Sequence, residues 1–454
     1  MHNAILNKIL GKHRLLLLVS ISISLVFYLL LISISTKPIQ DDYATLSMLS
    51  KYGFIDFLIV HWQTHGGNIW PLALHSLAVY SALNSFSFIT LTLFGICTAL
   101  IIVLTVVIFA NNFMILERTD KKPMVLFLIF GTLLGFEGMF TPGIVGAFQF
   151  SSASLVHLWP VLFFVIGISL SQLSTERKSL LFVIGFISGN SNITESAAFL
   201  LTILIIMWVY KIRFNTIKRR NTFSLFIGIL LGTVLILSSK GFWTRANSGA
   251  HNGLPNSFMS FIIDLLRSLL YFSADVLSHP MVYVFFLVGV IYARKVKEIF
   301  SSQNFLPYLE VLTISLFMFL VLGASFAYPS WHQSLGLLLL LPCFFLRLGS
   351  WFASRTKLFS VRTTSILLLL MLGIILVSLI RPLVLTLNRS TEWENSNNTN
   401  ICLIKEGKLN ALANPELRYP PLNLGVEEVQ SWVWILNAYQ YWIENNAASN
   451  NIKC

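Results

Sequence analysis

Eleven stretches of this chain are long and apolar enough to cross about 30 Å of hydrocarbon: residues 15–35, 85–110, 123–140, 152–171, 179–194, 196–210, 222–239, 279–293, 307–327, 334–350 and 363–381. With no water available, backbone N–H and C=O groups inside a bilayer must pair within the segment, which leaves the α-helix for runs of this length. The fifth and sixth stretches nearly touch and can be read as one broken helix, and residues 257–274 as a further short or re-entrant segment. Only 11% of residues are charged, against roughly 25% in soluble chains, so an ordinary soluble domain is excluded. The expected fold class is an all-α polytopic membrane protein of about 11 transmembrane helices. The first run follows Lys8, Lys12 and Arg14 and ends in Ser-Thr-Lys-Pro with no small-x-small cleavage site, which reads as a retained anchor.

The net charge of +12 has a direction. Placing the N-terminus in the cytoplasm makes six loops face inward, and these hold 19 of the 31 Lys and Arg against four carboxylates, Glu117, Asp120, Glu176 and Glu298. Such asymmetry is the positive-inside pattern. It explains the basic charge without nucleic acid, for which the chain carries no motif. An odd number of spans then sends the C-terminal segment outside, together with Asp41 and Asp42. Of the four cysteines, Cys97 and Cys343 fall in apolar stretches, while Cys402 and Cys454 fall in the outer tail, where the compartment permits a disulfide between them.

Two units follow: a transmembrane bundle over 1–381, whose first outer loop is 36–70, and a small mixed outer subdomain over 382–454. In the loop, Met48, Tyr52, Ile55, Ile59 and Trp62 recur at helical spacing. Lys51 and Asp56 interrupt the stripe, so the segment suits a helix lying in the membrane interface or one packed on the bundle. The tail carries an expected short strand at Ile401 to Lys405 and an aromatic-rich end.

Asp41-Asp42-Tyr43 places two carboxylates just beyond the first apolar run. Ionised groups beside hydrocarbon are expensive, on the order of 2.5 to 3.5 kcal/mol each on insertion scales, which makes the pair the leading functional candidate. The same sidedness turns other polar residues outward: His65 and Asn68 around Gly66-Gly67, Glu137, His157, Asn190, Asn192 and Glu195, Lys240 with Arg245, and His332 after Trp331. Glu195 also reads as the glutamate of a capping box opened by Asn192, and Lys240 and Arg245 as plain loop cations.

One N-terminal span, an outer loop opening on an acidic pair, an interfacial helix, about ten more spans and an outer tail resemble the GT-C class of membrane glycosyltransferases. Asp41-Asp42-Tyr43 carries the likeness, which is close to bacterial transferases that decorate O-antigen or other envelope glycans. The resemblance implies a polyprenyl-phosphate-linked sugar donor, a glycan or lipid-linked acceptor and a site on the outer face of the bacterial inner membrane. This chain has Asn68 after Gly67 where several such relatives carry a basic residue.

The chemistry of such a transfer asks for a base on the acceptor hydroxyl and for groups that stabilise the departing phosphate. Asp41 or Asp42 suits the first role. Lys240, Arg245 and His332 suit the second, with Tyr43, His65, Asn68, Glu137 and Glu195 as further substrate-facing residues. A single displacement would invert the anomeric carbon. A divalent cation, Mg or Mn, on Asp41 and Asp42 is compatible with hard oxygen ligands, although two carboxylates alone do not complete a site. The rival readings are an O-antigen polymerase, a lipid-linked glycan flippase or transporter, and a non-catalytic scaffold.

Overall fold

The computed structural model describes residues 41–84, 93–101, 151–173, 175–209, 216–247, 257–278, 280–291, 306–326, 331–353 and scattered positions between 384 and 406. Apart from turns, these residues are helical. The expected spans at 15–35, 123–140 and 363–381 lie outside the described residues, as does most of 85–110.

The helices in chain order are α1 (Asp41–Tyr52), α2 (Phe54–Thr64), α3 (Ile69–Asn84), α4 (Ser151–Ala153), α5 (Trp159–Ser171), α6 (Lys178–Gly189), α7 (Ile193–Val209), α8 (Thr216–Leu237), α9 (Lys240–Asn247), α10 (Phe258–Ser278), α11 (Pro280–Ile291), α12 (Leu306–Phe326) and α13 (Leu335–Ala353). A π-turn at Ser154–Leu158 joins α4 to α5, and a 3-10 turn at Trp331–Ser334 leads into α13. The segments 154–171 and 216–237 are long and apolar enough to cross a membrane. Pro280 at the start of α11 occupies a position where a missing N–H costs no helical bond.

Three elements differ from the sequence expectation. The apolar stripe from Met48 to Trp62 does not run along one helix, because Gly53 adopts φ 73° and separates α1 from α2. The buried face is instead formed by Asp42, Thr45, Leu46, Leu49 and Phe57, and Ile55 and Ile59 point outward. Residues 69–84, of which 69 and 70 close the expected outer loop and the rest had no expected element, form α3. The strand expected at Ile401 to Lys405 is absent: Cys402, Leu403 and Lys405 are helical, and Glu406 N–H donates to Cys402 O at 3.0 Å. A short, nearly unbroken apolar run does not distinguish strand from helix by periodicity.

Among the described residues α6 and α8 pack closely along their length. Each carries a GxxxG pattern, Gly185 with Gly189 and Gly228 with Gly232, and the two patterns face each other. A methyl at Gly189 or Gly228 would overlap main-chain atoms of Ile229 or Phe182 in the opposing helix. Small residues at this spacing let backbones approach closely, which supplies packing where the hydrophobic effect between helices is weak.

Direction follows from the side-chain bonds. Arg177 N–H donates to Asn221 Oδ1 at 3.0 Å and Ser224 Oγ to Lys178 O at 2.7 Å, while Asn190 Nδ2 lies 3.4 Å from Gly232 O. The helices α6 and α8 therefore run parallel, and α7 must carry the chain back between them. The two apolar stretches at 179–194 and 196–210 are thus two antiparallel helices joined by a turn at Asn190–Asn192.

This arrangement sorts polar groups to two ends. One end collects Glu176, Arg177, Lys178, Arg219 and Arg220 in the open. There Lys178 Nζ bonds Glu176 Oε1 at 2.6 Å, and this bond with the Lys178 charge, joined by Arg220, holds the Glu176 carboxyl below its usual range. The other end collects the α6–α7 turn, the start of α3, the π-turn, the α8–α9 junction and the 3-10 turn before α13.

Candidate functional site

Asp42 lies in the first turn of α1 and is fully buried. His75, six residues into α3 and 3% exposed, bonds Asp42 Oδ1 through Nε2 at 2.8 Å. With Asp42 ionised, His75 donates this hydrogen and the imidazole is fixed in tautomer and orientation. Its other nitrogen, Nδ1, lies 3.4 Å from Thr45 Oγ1, one turn along α1 from Asp42. Carboxylate, imidazole and hydroxyl are thereby aligned across the α1–α3 interface. Asp41 and Tyr43 share the first turn of α1, and their side chains lie outside the described residues.

A second buried pair stands at the polar end. His157, in the π-turn, bonds Glu195 Oε1 through Nδ1 at 2.6 Å, and both residues are at most 5% exposed. Asn192 Oδ1 caps α7 by accepting from Thr194 N–H at 2.8 Å. The capping box stops there, since Glu195 turns to His157 instead of back to the cap. Glu195 Oε2 has no hydrogen-bond partner, and neither has the buried Ser154 Oγ three residues before His157. π-turns insert a residue into a helix and recur at functional positions; here the turn carries His157 at its basic position and buries Ser154, Leu155 and Leu158 with it.

Asn190 binds the first loop to this end. Its Nδ2 donates to Gly67 O at 2.8 Å and its Oδ1 accepts from Ile69 N–H at 3.1 Å. Trp70 Nε1 adds a bond to Ile187 O at 2.7 Å. Ile69 N–H also donates to Gly67 O at 3.1 Å, so Asn190 clamps a turn that already closes on itself. Gly67 lies against the backbone of Leu235 and Ile236, and Gly241 against the backbone of His65 and Gly66. Around this contact His65 is exposed, bonded through Nδ1 to Thr64 Oγ1 at 2.7 Å and stacked on His61 at 5.2 Å, while Asn68 Oδ1 lies 3.4 Å from His61 Nε2. Lys240 opens α9 beside Gly241 and is exposed.

The structure therefore brings His65, Asn68 and Lys240 to one neighbourhood, and Glu195 with the His332-bearing turn to the adjoining one, where Gly336 packs on His157 O. Asp42 sits in its own interface with His75. The side chains of Arg245 and His332, and all of Glu137 and Cys454, lie outside the described residues. Cys402 is disulfide-bonded, and Cys97 is a free, exposed thiol. Among the described residues no group of three His, Cys, Asp or Glu side chains is placed to hold a metal ion. Asp42 and His75 together offer two donors, short of a complete cation site.

His75, Thr45 and Ser154 escaped the sequence reading. The signal for His75 was present: it is the one ionisable residue in the apolar run from Trp70 to Val79, a placement that marks function by default. Compared with protein-family models, with curated proteins and with solved structures, the chain matches none.

Proposed function

We propose that this chain is a polytopic membrane glycosyltransferase of GT-C type, with Asp42 as general base. It transfers a sugar from a polyprenyl-phosphate donor to an envelope glycan or lipid-linked acceptor on the outer face of a bacterial inner membrane, with inversion. About eleven spans cross the bilayer, the N-terminus lies in the cytoplasm and the C-terminus in the periplasm.

The observation that carries the reading is the Asp42–His75 bond. A carboxylate that must take a proton from an incoming hydroxyl gains from being held in one orientation before the substrate arrives. A fully buried carboxylate fixed at 2.8 Å by an imidazole has that property. His75 acts as a positioning residue, since it touches Asp42 and not the reacting atoms. Lys240, with Arg245 and His332, supplies positive charge for the leaving phosphate. The basic end at Arg177, Lys178, Arg219 and Arg220 suits the cytoplasmic side, and large exposed apolar side chains such as Trp208, Phe258 and Leu270 suit a lipid surface.

The test is glycan transfer in cells carrying the wild type, Asp41→Asn or Asp42→Asn, with abundance and folding of each verified and the envelope polysaccharide read by mass. Loss of one sugar addition in Asp42→Asn alone supports the assignment. Unchanged glycan in both variants refutes it and moves the polymerase or flippase reading ahead.

A further inference from the structure

We propose that the basic end formed by α6 and α8 binds the phosphate headgroup of an anionic phospholipid, whose acyl chains lie along the outward faces of the two helices. The inference shares the membrane setting of the transferase reading and is independent of its sugar chemistry.

The cations come from two separate stretches of chain. Arg177 and Lys178 stand at the start of α6, and Lys218, Arg219 and Arg220 fall within the first five residues of α8. Asn221 ties the two starts together. Fully buried, it accepts from Arg177 N–H at 3.0 Å and donates through Nδ2 to Thr175 O at 2.9 Å, across 44 and 46 residues. Ser224 adds its bond to Lys178 O at 2.7 Å, and deeper along the same helices the glycine seam leaves the pair no room to shift. Five cations on these stretches face one carboxylate, Glu176, which bonds Lys178 at 2.6 Å and lies 3.9 Å from Arg220. Arg177, Lys178, Arg219 and Arg220 are exposed. The excess of positive charge is therefore held in one place by buried bonds and is open to a partner.

What stands one turn deeper selects the partner. Phe223 follows Arg219 and Arg220 by four and three residues and is 52% exposed, and Leu180 follows Arg177 by three and is exposed together with Val183. Residues three and four apart share a helix face, so on each helix a cation stands above an outward apolar side chain. Four residues of helix rise about 6 Å, which matches the roughly 5 to 8 Å of headgroup layer on each side of the hydrocarbon. Helical side chains tilt toward the N-terminus, so these cations reach away from the apolar stretch at 216–237 and toward phosphate depth. A soluble polyanion would use the cations and leave Phe223, Leu180 and Val183 in water. A zwitterionic lipid would cover the apolar side chains and leave the charge excess unmatched. An anionic phospholipid satisfies both, with the guanidinium groups forking onto phosphate oxygens at a cluster of the size that attracts anionic headgroups.

The experiment is native mass spectrometry of the full chain released from detergent micelles, with phosphatidylglycerol and phosphatidylcholine of identical acyl chains as probes. Wild type should retain phosphatidylglycerol about tenfold or more tightly than phosphatidylcholine. Arg219→Gln combined with Arg220→Gln, verified as folded by size exclusion and thermal melting, should weaken phosphatidylglycerol about tenfold or more, the expected weight of two cations at a headgroup surface. Lys51→Gln combined with Lys405→Gln removes the same charge from exposed positions elsewhere and should leave the affinity as it was. Phe223→Ala should weaken both lipids, because it removes contact with the acyl chain. Equal retention of the two lipids, an unchanged affinity in the double arginine variant, or an equal loss in the double lysine variant overturns the site. Displacement of phosphatidylglycerol by an equimolar amount of inorganic phosphate, with Phe223→Ala silent, also overturns it, since the end would then hold phosphate and not lipid. Sugar transfer is not read here, so the transferase reading stands or falls separately on the Asp42→Asn glycan assay.

Discussion

Asp42 meets His75 across α1 and α3, whereas Glu195 meets His157 where the start of α7 abuts a π-turn. Both are buried carboxylate–imidazole pairs, and they differ in which valence remains. In the first, the far nitrogen of His75 lies 3.4 Å from Thr45 Oγ1, so the imidazole is braced on both sides. In the second, the far oxygen of Glu195 is open. A braced imidazole holds its carboxylate in one pose, as a base requires, and an open oxygen is an acceptor waiting for a donor. The same two residue types thus end in different bonding states, one braced and one with an acceptor to spare.

That contrast can be broken most severely at Asp42. Asp42→Asn should lower kcat for sugar transfer by roughly 10²- to 10⁴-fold, the usual contribution of a general base, with melting temperature nearly kept; an equal loss in Glu195→Gln would erase the distinction. Next in size, truncating either imidazole should destabilise the protein, because an uncompensated buried carboxylate remains. His75→Ala and His157→Ala should each cost about 3 kcal/mol or more, read by thermal melting in detergent, and a cost confined to one of them would mean that the other pair is not buried in solution. Asn190→Ala should cost about 1 kcal/mol by removing two side-chain bonds, since Ile69 N–H keeps its 3.1 Å bond to Gly67 O, and should loosen His65 and Asn68 from Lys240 while sparing the Asp42–His75 bond; hydrogen exchange at Gly67 to Ile69 measures this.

The smallest effect belongs to the exposed basic end. Lys178→Met should return the Glu176 carboxyl toward its ordinary range, seen by NMR titration. Because the folded-state value is depressed, the stability that the pair contributes is present above the ordinary carboxylate pKa and is lost as pH falls through the lowered one. Solvent screening keeps it slight, so the melting temperature at neutral pH should barely move.

Helix positions and charge sorting were legible in the sequence because both are sums over many residues. The runs at 152–171, 222–239, 279–293, 307–327 and 334–350 return as helices within a few residues, and the basic groups at Arg177 and Arg220 share one end. The site was legible only in halves. Asp42, Glu195 and His157 stood out as ionisable groups in apolar surroundings, but partnership across 33 and 38 residues is a tertiary fact that no local pattern encodes. The apolar stripe misled at Gly53 because spacing continues through a residue whose positive φ ends the helix. The paired GxxxG patterns went unread, because their weight lies in the facing arrangement of α6 and α8, which is a tertiary fact.

That glycine seam has a consequence for how a bulky lipid-linked substrate could be handled. Two helices in main-chain contact cannot rotate or slide without collision, so α6 and α8 behave as a single stiff beam. The turn carrying Asn190 is fixed to the end of that beam. If the proposed prenyl-linked donor is the substrate, the breathing that admits it comes from elements not welded to the beam, which stays as the stationary jaw.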